Sequence, residues 1–200
     1  MMRWIYWLGW MSFGAAYRTL FGLRIIGEEN LIKEGAVMVA SNHQSFLDPP
    51  LIGNLYRDEM YFLARKTLFV GLGKWVYTKW KAIPVDQERP DMASLKTIIK
   101  LLQHGERVLV FPEGVRSPTG DIGNAQPGIG LMVAKAGVLV QPVRIRGAFE
   151  ALPIGSGRIR FSRITVTIGP AIDFSKEGLT KSKEDYQVIA DRIMKEIAAL

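Results

Sequence analysis

The fold turns on one stretch, Ala36-Val37-Met38-Val39-Ala40-Ser41-Asn42-His43-Gln44-Ser45-Phe46-Leu47-Asp48-Pro49-Pro50. Its first five residues form a continuous apolar run of strand length, which reads as a buried β-strand. The polar residues that follow cannot extend a buried strand and read as a loop. Asp48-Pro49-Pro50 then reads as a helix start: Asp48 as an N-cap, with proline favoured at the first helical position and pushing the residue before it out of the α region. The stretch therefore predicts a strand, a loop and a helix over Pro49 to Tyr56.

The same alternation runs outward through the chain. Strand-length apolar runs occur at Leu23 to Ile26, Ala36 to Ala40, Met60 to Ala64, Ala82 to Val85, Arg107 to Phe111, Val138 to Ile145 and Ile164 to Ile168. Longer helical patterns occupy Pro90 to Gln103, stopped by Gly105, Pro127 to Ala136, stopped by Gly137, and Lys183 to Ala199. Strands alternating with helices predict an α/β sandwich with a largely parallel central sheet of about seven strands. The 200 residues suit a single domain, and neither a repeat nor a linker divides them.

Composition narrows the chemistry. Lys and Arg number 26 against 19 Asp and Glu, a net charge of +7 that favours phosphate-bearing partners such as nucleic acid or an anionic membrane. Hydrophobic residues at 48% and charged residues at 22% exclude a disordered chain. The absence of cysteine excludes disulfides, thiolate metal sites and cysteine acyl-enzymes. Two histidines, His43 and His104, leave little for a multi-histidine metal site, so none is expected. No basic run with interleaved aromatics and no nucleic-acid motif accompanies the charge, so nucleic acid is not the expected partner.

The first 22 residues differ from the rest. Trp4 to Tyr17 is free of charge and carries Trp4, Tyr6, Trp7, Trp10 and Phe13, with Arg3 before it and Arg18 and Arg24 after it. It falls short of the roughly 20 residues of a spanning helix, while Trp, Tyr and flanking Arg suit the headgroup level. Residues 1–22 are thus read as an interfacial membrane helix, with a cleaved leader or a core helix as its rivals, and residues 23–200 as the domain that carries the chemistry.

Ligands of open α/β sheets bind beyond the carboxyl ends of the strands. His43 falls there, and Asp48, five residues on, can turn back onto one imidazole nitrogen as the orienter of a general base. Phe111-Pro112-Glu113-Gly114-Val115-Arg116-Ser117 follows another strand to the same edge. Gly114 permits close backbone approach, and the Arg116 guanidinium suits a phosphate. Taken singly, the first is an ordinary capped loop and the second an ordinary turn with a charge pair.

Together these residues resemble the glycerolipid acyltransferases, and among them the bacterial lysophosphatidic acid acyltransferases, from Leu23 onward. Asn42, His43 and Asp48 match the family's first motif and Phe111 to Ser117 its third; Val138 to Ile145 with Pro142 is similar to the fourth. His43 and Glu113 lie roughly 70 residues apart, as in the family. The second motif departs: Lys81-Ala82-Ile83-Pro84-Val85-Asp86-Gln87 lacks both the glycine and the terminal arginine of the usual form. Lys81, Arg89, Arg65 or Lys66 are the cations that can replace that arginine at a phosphate, and a changed acceptor headgroup is the other explanation.

The resemblance implies transfer of a fatty acyl group from a thioester, acyl-CoA or acyl carrier protein, to the sn-2 hydroxyl of lysophosphatidic acid, without a cofactor. His43 would be the base, Asp48 its orienter, and Arg116 the phosphate ligand. Glu113 would orient Arg116 or a glycerol hydroxyl, and Ser45, Ser117 and Asn42 would add minor contacts. Backbone N–H groups near Glu113-Gly114-Val115 are candidate oxyanion donors. No acyl-enzyme nucleophile is apparent, which favours direct attack in a ternary complex. The partners implied are a lysophospholipid and an anionic membrane surface, on the cytoplasmic face of the cell membrane, where thioesters are made. The alternatives are another lysolipid or aminolipid acceptor, or a non-catalytic lipid-binding protein.

Overall fold

The computed structural model describes residues 4–86, 92–175 and 182–200. Seven strands form one sheet: β1 (Arg24–Ile26), β2 (Val37–Ser41), β3 (Tyr61–Arg65), β4 (Ala82–Val85), β5 (Arg107–Val110), β6 (Leu139–Arg146) and β7 (Thr165–Ile168). Their order across the sheet is β1-β7-β6-β2-β5-β3-β4. Strands β2 to β6 run parallel, while β7 pairs antiparallel with β6 and parallel with β1. The largely parallel seven-stranded sheet expected from the sequence is therefore present.

Among the described residues seven α-helices accompany it: α1 (Trp4–Leu20), α2 (Asp48–Gly53), α3 (Gly71–Lys79), α4 (Met92–Gln103), α5 (Pro127–Ala136), α6 (Ala148–Ala151) and α7 (Lys183–Ala199). Strand β2 shows why both faces must be covered, since all five of its residues are buried. Met38 and Ala40 join one core with Ile98 and Leu102 of α4, Met132 of α5 and Ile193 of α7. Val37 and Val39 join the other with Tyr17, Phe21, Leu51 and Ile52. Each fully buried Ile or Leu side chain contributes roughly 2 kcal/mol, so these two layers carry the fold.

Helix α7 begins with a capping box, in which the Ser182 side chain accepts from the Asp185 N–H and the Asp185 carboxylate accepts from the Ser182 N–H. Helix α5 ends at Gly137, at φ 66°, a conformation that glycine adopts without penalty. Helix α3 was not expected from the sequence: Gly71 and Gly73 break its local signal, and none of its residues is buried. The proline stretch Pro90-Asp91 at the expected start of α4 lies outside the described residues.

Helix α1 has two apolar sides. Its inner side docks on α2 and the turn after it: Trp10 Nε1 donates to the Tyr56 carbonyl at 2.8 Å, the Asn54 amide donates to the Trp10 carbonyl at 2.5 Å, and Gly14 leaves room for that Asn54 side chain. Its outer side leaves Trp4, Trp7, Leu8 and Met11 exposed. No helix among the described residues is long and apolar enough to cross a membrane.

Candidate active site

The site starts where β2 ends. The Asn42 side chain extends the sheet in place of a backbone: its Nδ2 donates to the Ile145 carbonyl at 2.9 Å and its Oδ1 accepts from the Ile145 N–H at 2.7 Å. Asn42 is buried, so the minor substrate contact expected of it is replaced by a positioning role. With that anchor, the chain turns away from the sheet and presents His43 at its carboxyl edge.

Asp48 is the hub of the loop. One oxygen, Oδ2, lies 2.8 Å from His43 Nδ1 and accepts from the backbone N–H groups of Gln44 at 2.6 Å and Ser45 at 2.7 Å. This corrects the expected N-cap: Asp48 is the first residue of α2, Leu47 stands at the cap position, and no side chain caps the helix. Three donors in the preceding loop outcompete the N–H groups of the helix for that oxygen. With Nδ1–H held by the carboxylate, the neutral imidazole carries its lone pair on Nε2. Asp48 is fully buried while the His43 side chain is 14% exposed, so the carboxylate is sealed from water and the imidazole remains accessible.

The Phe111 to Ser117 segment grips His43 from the other side. Phe111 stacks on the imidazole with ring centres 3.8 Å apart and planes 12° from parallel. The Ser117 N–H donates to the His43 carbonyl at 2.8 Å, and the His43 N–H donates to Glu113 Oε1 at 3.1 Å. The buried Glu113 carboxylate also accepts from the Gly123 N–H. Burial pushes its carboxyl above the ordinary value; those two N–H donors pull it down and the Asp48 charge pushes it further up. Glu113 thus braces backbone rather than orienting Arg116, a second correction. Gly114 sits at φ 73°, where a side chain would be strained, and its N–H closes the turn on Phe111, which removes it from the oxyanion donors.

The cations divide by sheet edge. The Arg116 guanidinium lies 3.7 Å above the Phe46 ring. Burial holds it below its ordinary value, the Asp48 charge opposes that, and the neighbouring Arg65 adds to it. Arg65 and Lys66, at the carboxyl end of β3, therefore share the edge with Arg116. Lys81 does not: it precedes β4, at the opposite edge, and pairs with Glu59 at 2.9 Å and the Tyr61 hydroxyl at 3.1 Å. One strand length, about 13 Å, separates it from the carboxyl edge, which corrects its place among the expected phosphate ligands. Gln87 and Arg89 lie outside the described residues.

The two serines brace loops. Ser45 Oγ donates to the Leu152 carbonyl at 2.9 Å and Ser117 Oγ accepts from the Gly120 N–H at 3.0 Å. His104 stands at the end of α4, its Nδ1 2.6 Å from the Lys100 carbonyl.

Three features were not anticipated from the sequence. A cavity of about 500 Å³ runs from Phe111, Glu113 and Gly114 into the layer between the sheet and helices α4 and α5, lined by Leu63, Val85, Leu95, Ile98, Ile129 and Met132. Its lining comes from five separate elements, so no local pattern marks it. The Tyr17 hydroxyl of α1 donates to the Leu47 carbonyl at 2.7 Å and ties the first helix to the catalytic loop. Phe46, which carries the Arg116 guanidinium, reads locally as one more loop aromatic.

Comparison with known proteins agrees with this geometry. Residues 22–146 match the family model described as Acyltransferase. The chain is 32% identical over 161 residues to a chloroplastic 1-acyl-sn-glycerol-3-phosphate acyltransferase of Arabidopsis thaliana, across 78% of this chain and 45% of that protein. It is 31% identical over 167 residues to a 1-acyl-sn-glycerol-3-phosphate acyltransferase of Pseudomonas aeruginosa, across 80% and 64%. The matches thus span between about half and two thirds of these relatives' lengths. The crystal structure of the 1-acyl-sn-glycerophosphate (LPA) acyltransferase PlsC from Thermotoga maritima superposes with a TM-score of 0.78 at 26% identity, covering 98% of this chain and 79% of that one.

Proposed function

The chain belongs to the acyltransferase family, and from that premise we propose that it moves a fatty acyl group from an acyl thioester to the sn-2 hydroxyl of lysophosphatidic acid, giving phosphatidic acid. The observation that carries this reading is the His43–Asp48 pair, 2.8 Å apart, whose imidazole stacks on Phe111 at the mouth of an apolar cavity of about 500 Å³. That volume suits a fatty chain or a ligand of similar size. Relatives named for 1-acyl-sn-glycerol-3-phosphate acylation support the acceptor.

In this mechanism, Nε2 of neutral His43 takes the acceptor's hydroxyl proton as the hydroxyl oxygen bonds to the thioester carbonyl carbon. Asp48 holds the tautomer and stabilises the imidazolium. The tetrahedral intermediate then collapses with rupture of the C–S bond, and the departing thiolate recovers the proton from Nε2. Arg116, with Arg65 beside it, binds the acceptor phosphate, and the acyl chain occupies the cavity. The thioester is a co-substrate, carried by coenzyme A or by acyl carrier protein, and the reaction calls for no cofactor. The exposed Trp4, Trp7, Leu8 and Met11 of α1 lie in the lipid headgroup layer, which makes the protein monotopic on the cytoplasmic face.

A second reading within the same chemistry rests on the second motif, where Lys81 stands at the wrong edge for a phosphate: the acceptor is then a lysolipid with another headgroup, or an aminolipid. Transfer from a labelled thioester to a panel of lysolipids, by wild type and His43→Ala, tests both. Transfer to lysophosphatidic acid that is lost in His43→Ala is the expected result. Transfer to a different acceptor alone selects the second reading, and none at all by folded wild type overturns both.

A further inference from the structure

We propose that the carboxyl edge of the sheet seats directly on an anionic lipid bilayer through two surface loops that flank the catalytic histidine, one that ends in the first turn of α3, at Val70 to Lys74, and one at Arg158 to Arg163. The proposal rests on the acyltransferase reading above and specifies how the site meets its lipid.

Topology places both loops at one edge. Strands β6, β2, β5 and β3 are consecutive neighbours, His43 and Glu113 follow the middle two, and the loops follow the outer two. The first loop leaves β3 through the turn at Lys66–Leu68. The second connects β6 to the antiparallel β7 and so stays at the carboxyl end of β6. It is fastened to the catalytic loop, because the Leu152 carbonyl accepts from Ser45 Oγ at 2.9 Å and the Arg160 N–H donates to the Ala151 carbonyl at 2.8 Å.

Both loops present to water what water disfavours. Val70 is 70% and Leu72 78% exposed in one; Ile159 is 59% and Phe161 77% exposed in the other. Phe46 and Val115, on the His43 and Glu113 loops, are exposed between them. Cations surround both sets. From Met60 to Lys74 the sequence carries Arg65, Lys66 and Lys74 and no acid; from Ala151 to Ala171 it carries Arg158, Arg160 and Arg163 and no acid. Exposed apolar side chains amid cations of one sign complement a surface with an apolar interior and anionic headgroups.

The bilayer, rather than a protein, is the occupant these observations favour. The outer two of the four strands stand about 14 Å apart, so the loops straddle the opening over His43. A protein resting on both would close the opening through which a lipid acceptor enters; a bilayer resting on both delivers the acceptor there. The surface is also continuous with α1, whose end meets this edge where the Ile164 N–H donates to the Phe21 carbonyl at 3.0 Å.

The test compares wild type with Val70→Asp/Leu72→Asp and with Ile159→Asp/Phe161→Asp, all at exposed positions outside the catalytic machinery. Partition onto vesicles of phosphatidylcholine with about one third phosphatidylglycerol is measured by co-sedimentation. Acyl transfer from acyl-CoA and from acyl carrier protein is measured to long-chain lysophosphatidic acid in those vesicles and to a short-chain, water-soluble analogue. Each pair of aspartates is expected to lower vesicle partition by about tenfold or more, to lower transfer on vesicles in proportion, and to leave transfer to the soluble acceptor unchanged. Unaltered partition overturns the proposal, as does an equal loss on both acceptors. A loss confined to the donor on acyl carrier protein, with partition intact, assigns the loops to a protein instead. Should wild type acylate neither acceptor, the proposed function fails, while partition still decides whether these loops meet the bilayer.

Discussion

Glu113 shows how one residue was recognised while its use was hidden. Its place after Phe111-Pro112 marked the site in the sequence, but its carboxylate holds the backbone N–H groups of His43 and Gly123 rather than Arg116. Chain direction decides such partners, and no spacing rule reports it. The burial that raises its carboxyl pKa has a measurable consequence. Because the folded value lies above the unfolded one, the native state binds more protons in the window just above the ordinary carboxylate range. Stability from this group is therefore lost as pH rises through that window. Glu113→Gln removes the titration, so denaturant unfolding from about pH 4 to about pH 7 is expected to show wild type losing ground steadily to the variant. Parallel pH profiles for the two proteins would refute it. At the same scale, the placement of His43, Asp48 and Arg116 at one edge was legible because each lies in the segment that follows a readable apolar strand. Lys81 misled because its charge beside the second motif suggested a phosphate ligand, although the strand Ala82 to Val85, observed where expected, already put it at the amino end.

Among elements, all seven strands could be read from apolar runs, and their ends differ from expectation by about one residue, as at β2, which runs from Val37 to Ser41. The central strands β2, β5 and β6 give the strongest signal because burial on both faces makes them near-continuous apolar runs, with polar residues such as Ser41 and Arg107 at their ends and Gln141 the buried interior exception. Helix α3 gave none, since a half-exposed helix with two glycines has neither period nor propensity. Helix packing was equally hidden, although one glycine controls it. A methyl group on Gly130 of α5 would overlap the Tyr186 carbonyl oxygen of α7. Backbone cannot move aside as a flexible side chain does, so the two helices must separate. Gly130→Ala is expected to destabilise the fold by about 1–3 kcal/mol, read as a lower denaturant midpoint with an unchanged slope. A neutral result would show that α7 shifts freely on α5.

Across the whole molecule, the sheet separates two apolar regions, which the proposed function assigns to the acceptor and the acyl chain that meet at His43. On one face, α1 and α2 pack beneath an apolar surface suited to lipid; on the other, α4 and α5 enclose the cavity of about 500 Å³. The histidine stands at the edge where the faces join, so an acceptor from the first side and an acyl chain lodged in the second can meet without crossing. Met132 of α5 lines the cavity and is buried, while the ring stack and the Asp48 bonds that hold His43 involve neither α5 nor α4. Met132→Phe therefore fills space that the proposed function gives to the acyl chain and leaves His43 in place. Apolar pockets discriminate by roughly 1–3 kcal/mol per methylene, so kcat/KM for the longest donors accepted by wild type is expected to fall by about tenfold or more. Short donors should be unaffected, and the chain-length optimum should move to shorter acyl groups. Vesicle partition should not change, because Met132 is buried and both the α1 face and the two edge loops are untouched. A uniform fall across all donor lengths would mean that the substitution disturbed the site itself. An unchanged profile would mean that the acyl chain lies outside this cavity, on the lipid side of the sheet.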